Sequence, residues 1–239
     1  MNQSFKFLFV IFFVATCLSL QAQEDTTSTD TLAIRTNLIQ PRANDLFTAR
    51  LSITVPNPTS NSAFRKSFIG IYQANFSVNM ALYKSLYIGV AFSDALLQVD
   101  KNIVTNTTYA KQPHVKFLNS AVKLGGNFYV GDKNRWILSA DVVIGLSIIK
   151  FTDFANKDYT KTIAVTNFKS PYTELGLGMV FLVESRWGFG PTVNYTFIQR
   201  AFNPSELYLN DWSGYSNNNA GTTQYFSFGF VCHYSFFAK

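Results

Sequence analysis

Side-chain character alternates along residues 68–82, whose sequence is FIGIYQANFSVNMAL. The even positions from Phe68 to Leu82 are apolar or small, whereas polar residues such as Gln73 and Asn75 occupy odd positions. Successive side chains of a β-strand point to opposite faces, so a period of two predicts a strand with one apolar face. Its fifteen residues exceed the roughly five or six of an ordinary strand and suit a tilted strand that crosses a membrane.

Seven further stretches show the same alternation, at 47–55, 86–93, 115–130, 136–148, 174–184, 187–197 and 225–236. In each stretch one parity carries Phe and aliphatic residues, and the other carries mainly Ser, Thr, Asn and Gly. We therefore predict long strands whose apolar parity faces lipid and whose small, polar parity fills a narrow barrel interior. A soluble sandwich or lipocalin-type barrel is the alternative, but it leaves the strand length unexplained.

The connections between these stretches alternate in length. Short connections lie around 83–85, 131–135 and 184–186, whereas long polar ones span about 56–67, 99–114, 150–171 and 200–222. Outer-membrane barrels have short periplasmic turns and long extracellular loops. The sequence therefore predicts an all-β, transmembrane, antiparallel up-and-down barrel of about eight strands, with both chain ends on the periplasmic side.

Composition excludes most other classes. Of the 239 residues, 47% are hydrophobic, 16% aromatic and only 14% charged, whereas charged residues normally make up about a quarter of a soluble chain. The apolar content excludes disorder, and 13 Gly with 2 Cys exclude collagen-like and disulfide-scaffold classes. No run reaches the roughly 18 apolar residues of a membrane helix. Lipid-facing strands therefore account for the hydrophobicity.

The N-terminus has the organisation of a secretory signal peptide. Lys6 precedes an apolar stretch from Phe7 to Ala15, and small residues precede a cleavage position after Ala22. Lipid attachment at Cys17 is the alternative form of processing. We expect export to the bacterial outer membrane, with residues 1–22 as signal peptide, 23–45 as a periplasmic lead-in and 46–239 as the barrel domain.

Cleavage would remove one lysine and no acidic residue, and it would leave Cys232 without an internal disulfide partner. The net charge would fall from +6 to +5. Residues 24–30, EDTTSTD, are polar and predict an unstructured lead-in. Residues 32–41 carry a short alternation that predicts either an extra periplasmic strand or the start of the first barrel strand.

The C-terminal stretch 225–237, YFSFGFVCHYSFF, has a glycine followed by alternating apolar and aromatic residues. With this stretch and its strand pattern, the chain resembles the small eight-stranded outer-membrane barrels, the outer-membrane protein A/X-like or "porin family" group, over roughly 46–239. The stretch looks like the assembly signal of that group, and the signal residues are Gly229, Phe230, Tyr234 and Phe236. It departs from the pattern in that Ala238 and Lys239 follow the aromatic end. The resemblance implies insertion by the outer-membrane assembly machinery, and no catalytic residue carries over.

Aromatic residues at the predicted strand ends suggest the interfacial girdles that flank the lipid-facing band of such barrels. They include Trp136, Tyr172, Trp187, Tyr195 and Tyr234.

A set of charged residues occupies the inward parity of the strands. They are Arg50, Lys123, Asp141, Glu174 and Glu184. Because an unpaired charge in a narrow interior is costly, we expect a structural network of ion pairs and hydrogen bonds. A narrow ion or water path is the alternative, although eight strands rarely leave one open.

Two long loops carry the candidate contact residues. The loop at 150–171 mixes lysines with aromatics and suits anionic lipid headgroups, whereas the last loop is rich in Asn, Gly and Ser and suits adaptable binding of a protein or glycan. The candidates are Lys157, Tyr159, Lys161, Tyr208, Trp212 and Tyr215. We expect outer-membrane lipid as a partner, a protein partner through the loops or the lipid-facing aromatics, and no nucleic acid.

The sequence contains no phosphate-binding glycine loop, paired catalytic carboxylates or metal-ligand spacing. Its histidines, His114 and His233, fall near opposite ends of the predicted barrel, too far apart to share a metal or a proton relay. We therefore expect no catalytic residue, no metal and no cofactor.

The sequence thus predicts a non-enzymatic integral outer-membrane barrel with a structural, envelope-integrity, or adhesion and binding role. One alternative is a small barrel subunit of a larger outer-membrane secretion or assembly complex. Another is a narrow pore, or a barrel enzyme that modifies lipid A with His114 at its outer rim.

Overall fold

The computed structural model describes residues 46–60, 62–83, 85–100, 102, 114–130, 135–151, 154–155, 162–163, 167–183, 186–203 and 221–236. In chain order its elements are β1 (Phe47–Pro58), α1 (Ser62–Ser67), β2 (Phe68–Tyr83), β3 (Leu86–Val99), β4 (His114–Val130), β5 (Trp136–Phe151), β6 (Phe154–Ala155), β7 (Thr162–Ile163), β8 (Asn167–Leu182), β9 (Trp187–Ile198) and β10 (Thr223–Phe236). Within these described residues, no helix is long and apolar enough to cross a membrane.

Eight of these strands close into one antiparallel barrel in the order β1-β2-β3-β4-β5-β8-β9-β10. The short strands β6 and β7 pair only with each other. The barrel closes between β1 and β10, where Phe47 lies opposite Phe236 and Pro58 lies opposite Tyr225. The predicted up-and-down barrel of eight strands is therefore confirmed.

The outer surface of the barrel is apolar along most of its height. Outward side chains such as Ile53, Ile144, Phe228 and Phe230 are 63%, 64%, 63% and 71% exposed. Burying such surface in hydrocarbon is favourable, and closure of the sheet satisfies the backbone of every barrel strand without an open edge. The predicted division into a lipid-facing and an inward parity is thereby confirmed for most of the strands.

The beginning of β2 departs from the predicted parity. A register shift between Gly70 and Tyr72 places an extra residue in β2 relative to β3. As a result Phe68 is buried inside the barrel, whereas Ile69 and Ile71 are exposed on its outer surface. A β-bulge of this kind reverses the faces of the residues before it, so the assignment of Phe68 to the lipid-facing set was wrong.

The girdle prediction also needs one correction. Trp136 and Trp187 lie on the outer surface at the short-turn end, and the Trp187 ring centroid is 4.5 Å from that of Tyr234. Tyr172, in contrast, is 2% exposed and points into the barrel. It shares the inward parity of β8 with Glu174, so its aromatic ring belongs to the interior.

The interior is apolar at its long-loop end, where a small and polar lining was expected. Helix α1 folds into the mouth of the barrel and buries Ala63 and Phe64 while exposing Arg65 and Lys66. We call the aromatic group that meets there the aromatic plug. It consists of Phe64, Phe68, Phe117, Phe151, Phe202 and Tyr225.

Ring contacts hold the aromatic plug together. The Phe64 centroid lies 5.1 Å from that of Phe68, 6.4 Å from that of Phe117 and 6.0 Å from that of Phe202. Phe117 in turn lies 5.9 Å from Tyr225. Aromatic pairs at such distances add to the energy of apolar burial, so the plug closes the long-loop end with a packed core.

A smaller apolar cluster lies inside the short-turn end. It consists of Tyr129, Ile137, Val180, Leu182 and Val231. Along β5 the inward residues Ile137, Asp141 and Ile149 follow one another from the short-turn end to the long-loop end. The interior charges therefore lie between the aromatic plug and this smaller apolar cluster.

Candidate functional site

Four charged side chains enter the barrel from different strands. Arg50 comes from β1, Lys123 from β4, Asp141 from β5 and Glu174 from β8. Each lies on the parity opposite to the lipid-facing residues of its strand, and each side chain is about nine-tenths buried. Strand alternation alone therefore places them in one compartment.

Asp141 is the centre of the charge cluster. Its Oδ2 lies 2.9 Å from Lys123 Nζ and 3.9 Å from Arg50 Nη1. The Tyr87 hydroxyl donates a hydrogen bond of 3.0 Å to the same oxygen. One carboxylate thus faces two cations, and the cluster of Arg50, Lys123 and Asp141 carries one excess positive charge.

Arg50 is held by neutral partners as well. Its Nη2 donates to Asn127 Oδ1 at 2.6 Å, and its Nε donates to His233 Nδ1 at 3.3 Å. The Tyr87 ring centroid lies 5.5 Å from the guanidinium carbon. Because His233 Nδ1 accepts this bond, the arrangement fits a neutral imidazole, whose Nε2 lies 3.1 Å from Ser235 Oγ.

Glu174 lies apart from the ion pairs. Its Oε2 accepts hydrogen bonds from Gln73 Nε2 at 3.2 Å and from Thr196 Oγ1 at 3.0 Å. In the described part of the chain it forms no ion pair. The structure therefore brings Arg50, Lys123 and Asp141 together and gives Glu174 a separate, uncharged set of partners, while Glu184 lies outside the described residues.

Sequence reasoning did not single out Tyr87, Asn127 or Gln73 for this cluster. All three occupy the inward parity of their strands, and that parity was the available signal. Parity gives the face on which a residue lies, but not its position along the barrel axis. That position depends on the stagger of the strands.

Charged and polar side chains leave little free space between them. The cavity lined by Arg50, Lys123, Asp141 and Glu174 has a water-accessible volume of about 40 Å³. That is room for about three water molecules, since one water needs roughly 10–15 Å³ by this measure. The arrangement can neutralise buried charge and fix strand register.

The two histidines lie far apart along the strands. His114 begins β4 at the long-loop end, whereas His233 lies near the short-turn end of β10. Among the residues that the structure describes, no group of three or more His, Cys, Asp or Glu side chains could hold a metal ion.

Of the remaining candidates, the assembly residues lie on β10. Phe230 is 71% exposed, and Tyr234 contacts Phe236 with ring centroids 4.9 Å apart. Gly229 lies opposite Thr54 at the closing seam. The loop candidates Lys157, Tyr159, Lys161, Tyr208, Trp212 and Tyr215 lie outside the described residues.

A closed eight-stranded barrel with an apolar exterior and a filled interior defines a class, the small β-barrel of the bacterial outer membrane. No family model and no curated protein matches the sequence. Solved structures do match the fold.

Neisserial surface protein A matches 80% of this chain and 97% of its own, with a TM-score of 0.50 and 11% identity. Ail of Yersinia pestis, solved with the heparin analogue sucrose octasulfate, covers 80% and 97% with a TM-score of 0.44 and 9% identity. OprG of Pseudomonas aeruginosa covers 80% and 95% with a TM-score of 0.46 and 10% identity. The likeness to neisserial surface protein A shows that this chain has the fold of a small outer-membrane barrel, and the apolar exterior makes it an integral protein of that membrane.

Proposed function

We propose that this protein is a non-enzymatic outer-membrane barrel that acts through its outer rim and loops, in envelope integrity and in surface binding. The observation that carries the proposal is the aromatic plug, in which Phe64 is 1% exposed between Phe68, Phe117 and Phe202. Rings packed in this way would obstruct a solute that entered the barrel interior from the long-loop end.

The charge cluster supports the same conclusion. An ion that entered the interior would have to displace Lys123 from Asp141 or Arg50 from Asn127, and both contacts are short. Breaking a buried pair costs several kcal/mol because one charge is left uncompensated. A structural role for Arg50, Lys123, Asp141 and Glu174 therefore accounts for their geometry better than a transport role.

With the interior filled, binding capacity resides in the long connections. Their candidate residues combine cations with Tyr and Trp, which supply large contact area at low entropic cost. They are Lys157, Tyr159, Lys161, Tyr208, Trp212 and Tyr215. The role as a surface binder rests on these compositions and on the rigid barrel that would present them.

The test uses a deletion strain of the source bacterium complemented with wild type or with the triple variant Tyr208→Ser, Trp212→Ser and Tyr215→Ser. Equal amounts of heat-modifiable protein on unboiled gels would verify equal assembly. We expect both proteins to restore detergent resistance and only wild type to restore binding of cells to immobilised glycan and protein ligands. A deletion that changes neither phenotype would contradict the proposal.

Two further readouts separate the alternatives. Lipid A mass spectra that change on deletion would favour the enzyme. Copurification of a stoichiometric partner in mild detergent would favour a subunit of a larger outer-membrane complex.

A further inference from the structure

Glu174 is a buried carboxylate whose charge the protein does not balance at close range. It is 7% exposed, and no cation of the described residues forms an ion pair with it. Of the charges nearby, Asp141 repels the carboxylate more strongly than Lys123 attracts it. A buried charge without a partner is costly, so this carboxylate requires compensation from a proton or from a cation.

The position of Glu174 is between the charge cluster and the aromatic plug. On β8 it lies two residues nearer the long-loop end than Gly176, which pairs with Asp141. Tyr225, a member of the plug, interacts electrostatically with Glu174, and its ring centroid is 5.9 Å from that of Phe117. A ligand held at Glu174 would therefore lie beside the charge cluster and would not displace its ion pairs.

An amide oxygen without a hydrogen-bond partner lies next to this carboxylate. Gln73 donates from its Nε2 to Glu174 Oε2 at 3.2 Å, whereas its Oε1 is buried and has no partner among the described residues. Because the oxygen and nitrogen of one amide are about 2.3 Å apart, Gln73 Oε1 lies within about 5.5 Å of Glu174 Oε2. An ion with oxygen ligands at about 2.5 Å can bridge oxygens up to about 5 Å apart.

Asn119 and Tyr225 supply two further oxygens. The Tyr225 hydroxyl faces Thr196 and Asn119, although these contacts do not have hydrogen-bond geometry. Asn119 donates from its Nδ2 to Ser93, and its Oδ1 is buried with no partner in the part of the chain that the structure describes. Amide oxygens can only accept, so these buried acceptors beside a carboxylate favour a positively charged ligand.

The set of oxygens points to a monovalent cation. Carboxylate, amide and hydroxyl oxygens are hard ligands, which suit hard cations better than transition metals. One carboxylate balances one charge, whereas a divalent ion such as Ca²⁺ usually takes several. Glu174 lines the interior cavity of about 40 Å³, as does Asn75, which accepts a hydrogen bond of 2.9 Å from Gln73. The cavity therefore has room for an ion and a water.

We propose that Glu174 and Gln73 bind one dehydrated monovalent cation, such as Na⁺ or K⁺, inside the barrel, with Asn119 and Tyr225 completing the oxygen shell. The ion balances the charge of Glu174 and connects β2, β4, β8 and β10 beneath the aromatic plug, so its role is structural. The site depends neither on the loop residues nor on the proposed surface binding.

The experiment measures urea unfolding of the full-length protein in phosphatidylcholine vesicles at constant ionic strength. NaCl or KCl replaces tetramethylammonium chloride stepwise, because the methyl groups of tetramethylammonium keep its charge away from ligand oxygens. Wild type is compared with Glu174→Gln, which keeps the shape of the side chain. The matched control Asp94→Asn removes a carboxylate from the more exposed pair with Lys116.

For one site, binding to the folded state raises stability with the concentration of the ion. Above the dissociation constant, a tenfold increase in Na⁺ or K⁺ should raise the folded-to-unfolded ratio of wild type about tenfold. Glu174→Gln should lose this dependence and should be about as stable as wild type in tetramethylammonium chloride, whereas Asp94→Asn should keep it. Crystals grown with Rb⁺ should show an anomalous peak between Glu174 and Gln73.

Three results would overturn the proposal. One is wild-type stability that stays constant when Na⁺ or K⁺ replaces tetramethylammonium, which would mean that the carboxyl group takes up a proton instead. Another is equal cation dependence in wild type and Glu174→Gln, which would place the ion elsewhere. The third is the lack of a rubidium peak at Glu174.

Discussion

Lys123 Nζ lies 2.9 Å from Asp141 Oδ2 inside the barrel, where the two side chains are only 11% and 8% exposed. The pair joins β4 to β5 at a height where the wall is surrounded by lipid. Arg50 reaches the same carboxylate from β1 on the other side of the interior. One aspartate thus connects strands that are not neighbours in the sheet.

Replacement of Asp141 by Asn keeps the shape of the side chain and removes its charge. Arg50 and Lys123 would then share the interior without a carboxylate in contact, and we expect a loss of about 3–5 kcal/mol in the free energy of unfolding. Urea unfolding in lipid vesicles, followed by tryptophan fluorescence, measures the loss. The control Asp94→Asn breaks the more exposed pair with Lys116 and should cost about 1 kcal/mol or less; equal losses would contradict the central role of Asp141.

Replacement of Glu174 by Gln should behave differently. Its hydrogen bonds come from Gln73 and Thr196, and a glutamine carbonyl oxygen can accept both. Because no cation of the described residues loses its partner, we expect a change below about 1 kcal/mol, whereas Glu174→Ala leaves buried donors unpaired and should cost about 1–3 kcal/mol. A Gln variant as unstable as the Ala variant would show that the charge of Glu174 is needed.

The aromatic plug can be tested at Phe64. Phe64→Ala removes a ring that contacts Phe68, Phe117 and Phe202, and we expect a loss of about 3–5 kcal/mol. The neighbouring Arg65 is exposed on the same helix, so Arg65→Ala should change stability by no more than about 0.5 kcal/mol. The same urea unfolding series compares them, and similar losses at both positions would argue against a packed plug.

Closure of the barrel can be tested at Gly229. A Cβ atom at this position would lie 2.1 Å from the Ile53 carbonyl oxygen across the β1–β10 seam. We expect Gly229→Ala to reduce the heat-modifiable, membrane-inserted fraction strongly, because backbone atoms would have to move apart. In Gly126→Ala the nearest atoms to the added Cβ would be those of the Phe128 ring at 3.4 Å, an ordinary contact distance, and assembly should be close to normal. Normal assembly of both variants would mean that the seam tolerates a side chain.

The barrel itself could be predicted from the sequence because a period of two is a direct consequence of strand geometry. Residues such as Ile53, Val122 and Phe228 lie on the face that parity assigns to them. The same rule correctly placed Arg50 and Asp141 inside. It could not say that Asp141 rather than Glu174 holds the cations, because contact across a barrel depends on strand stagger.

The errors have identifiable causes. The bulge at Ile71 adds one residue and moves Phe68 inward. Gly70 beside it is a residue type that often marks a bulge, but it also fits the small, alternating pattern of an unbroken strand. Phe64 lies in a connection that the sequence predicts to be a polar loop. In the structure, part of this connection forms helix α1, which enters the mouth of the barrel. Tyr172 lies at the end of the strand that the sequence predicts, where an aromatic residue fits an interfacial girdle. In the structure β8 begins earlier, at Asn167, and Tyr172 lies within the strand on its inward face.

The most direct test of the closed interior is the electrical conductance of the full-length protein in planar lipid bilayers, with an open porin as the positive control. We expect no stable channel for wild type, because the aromatic plug and the Asp141 cluster occupy the barrel interior. Stable, reproducible channels formed by folded wild-type protein would contradict it.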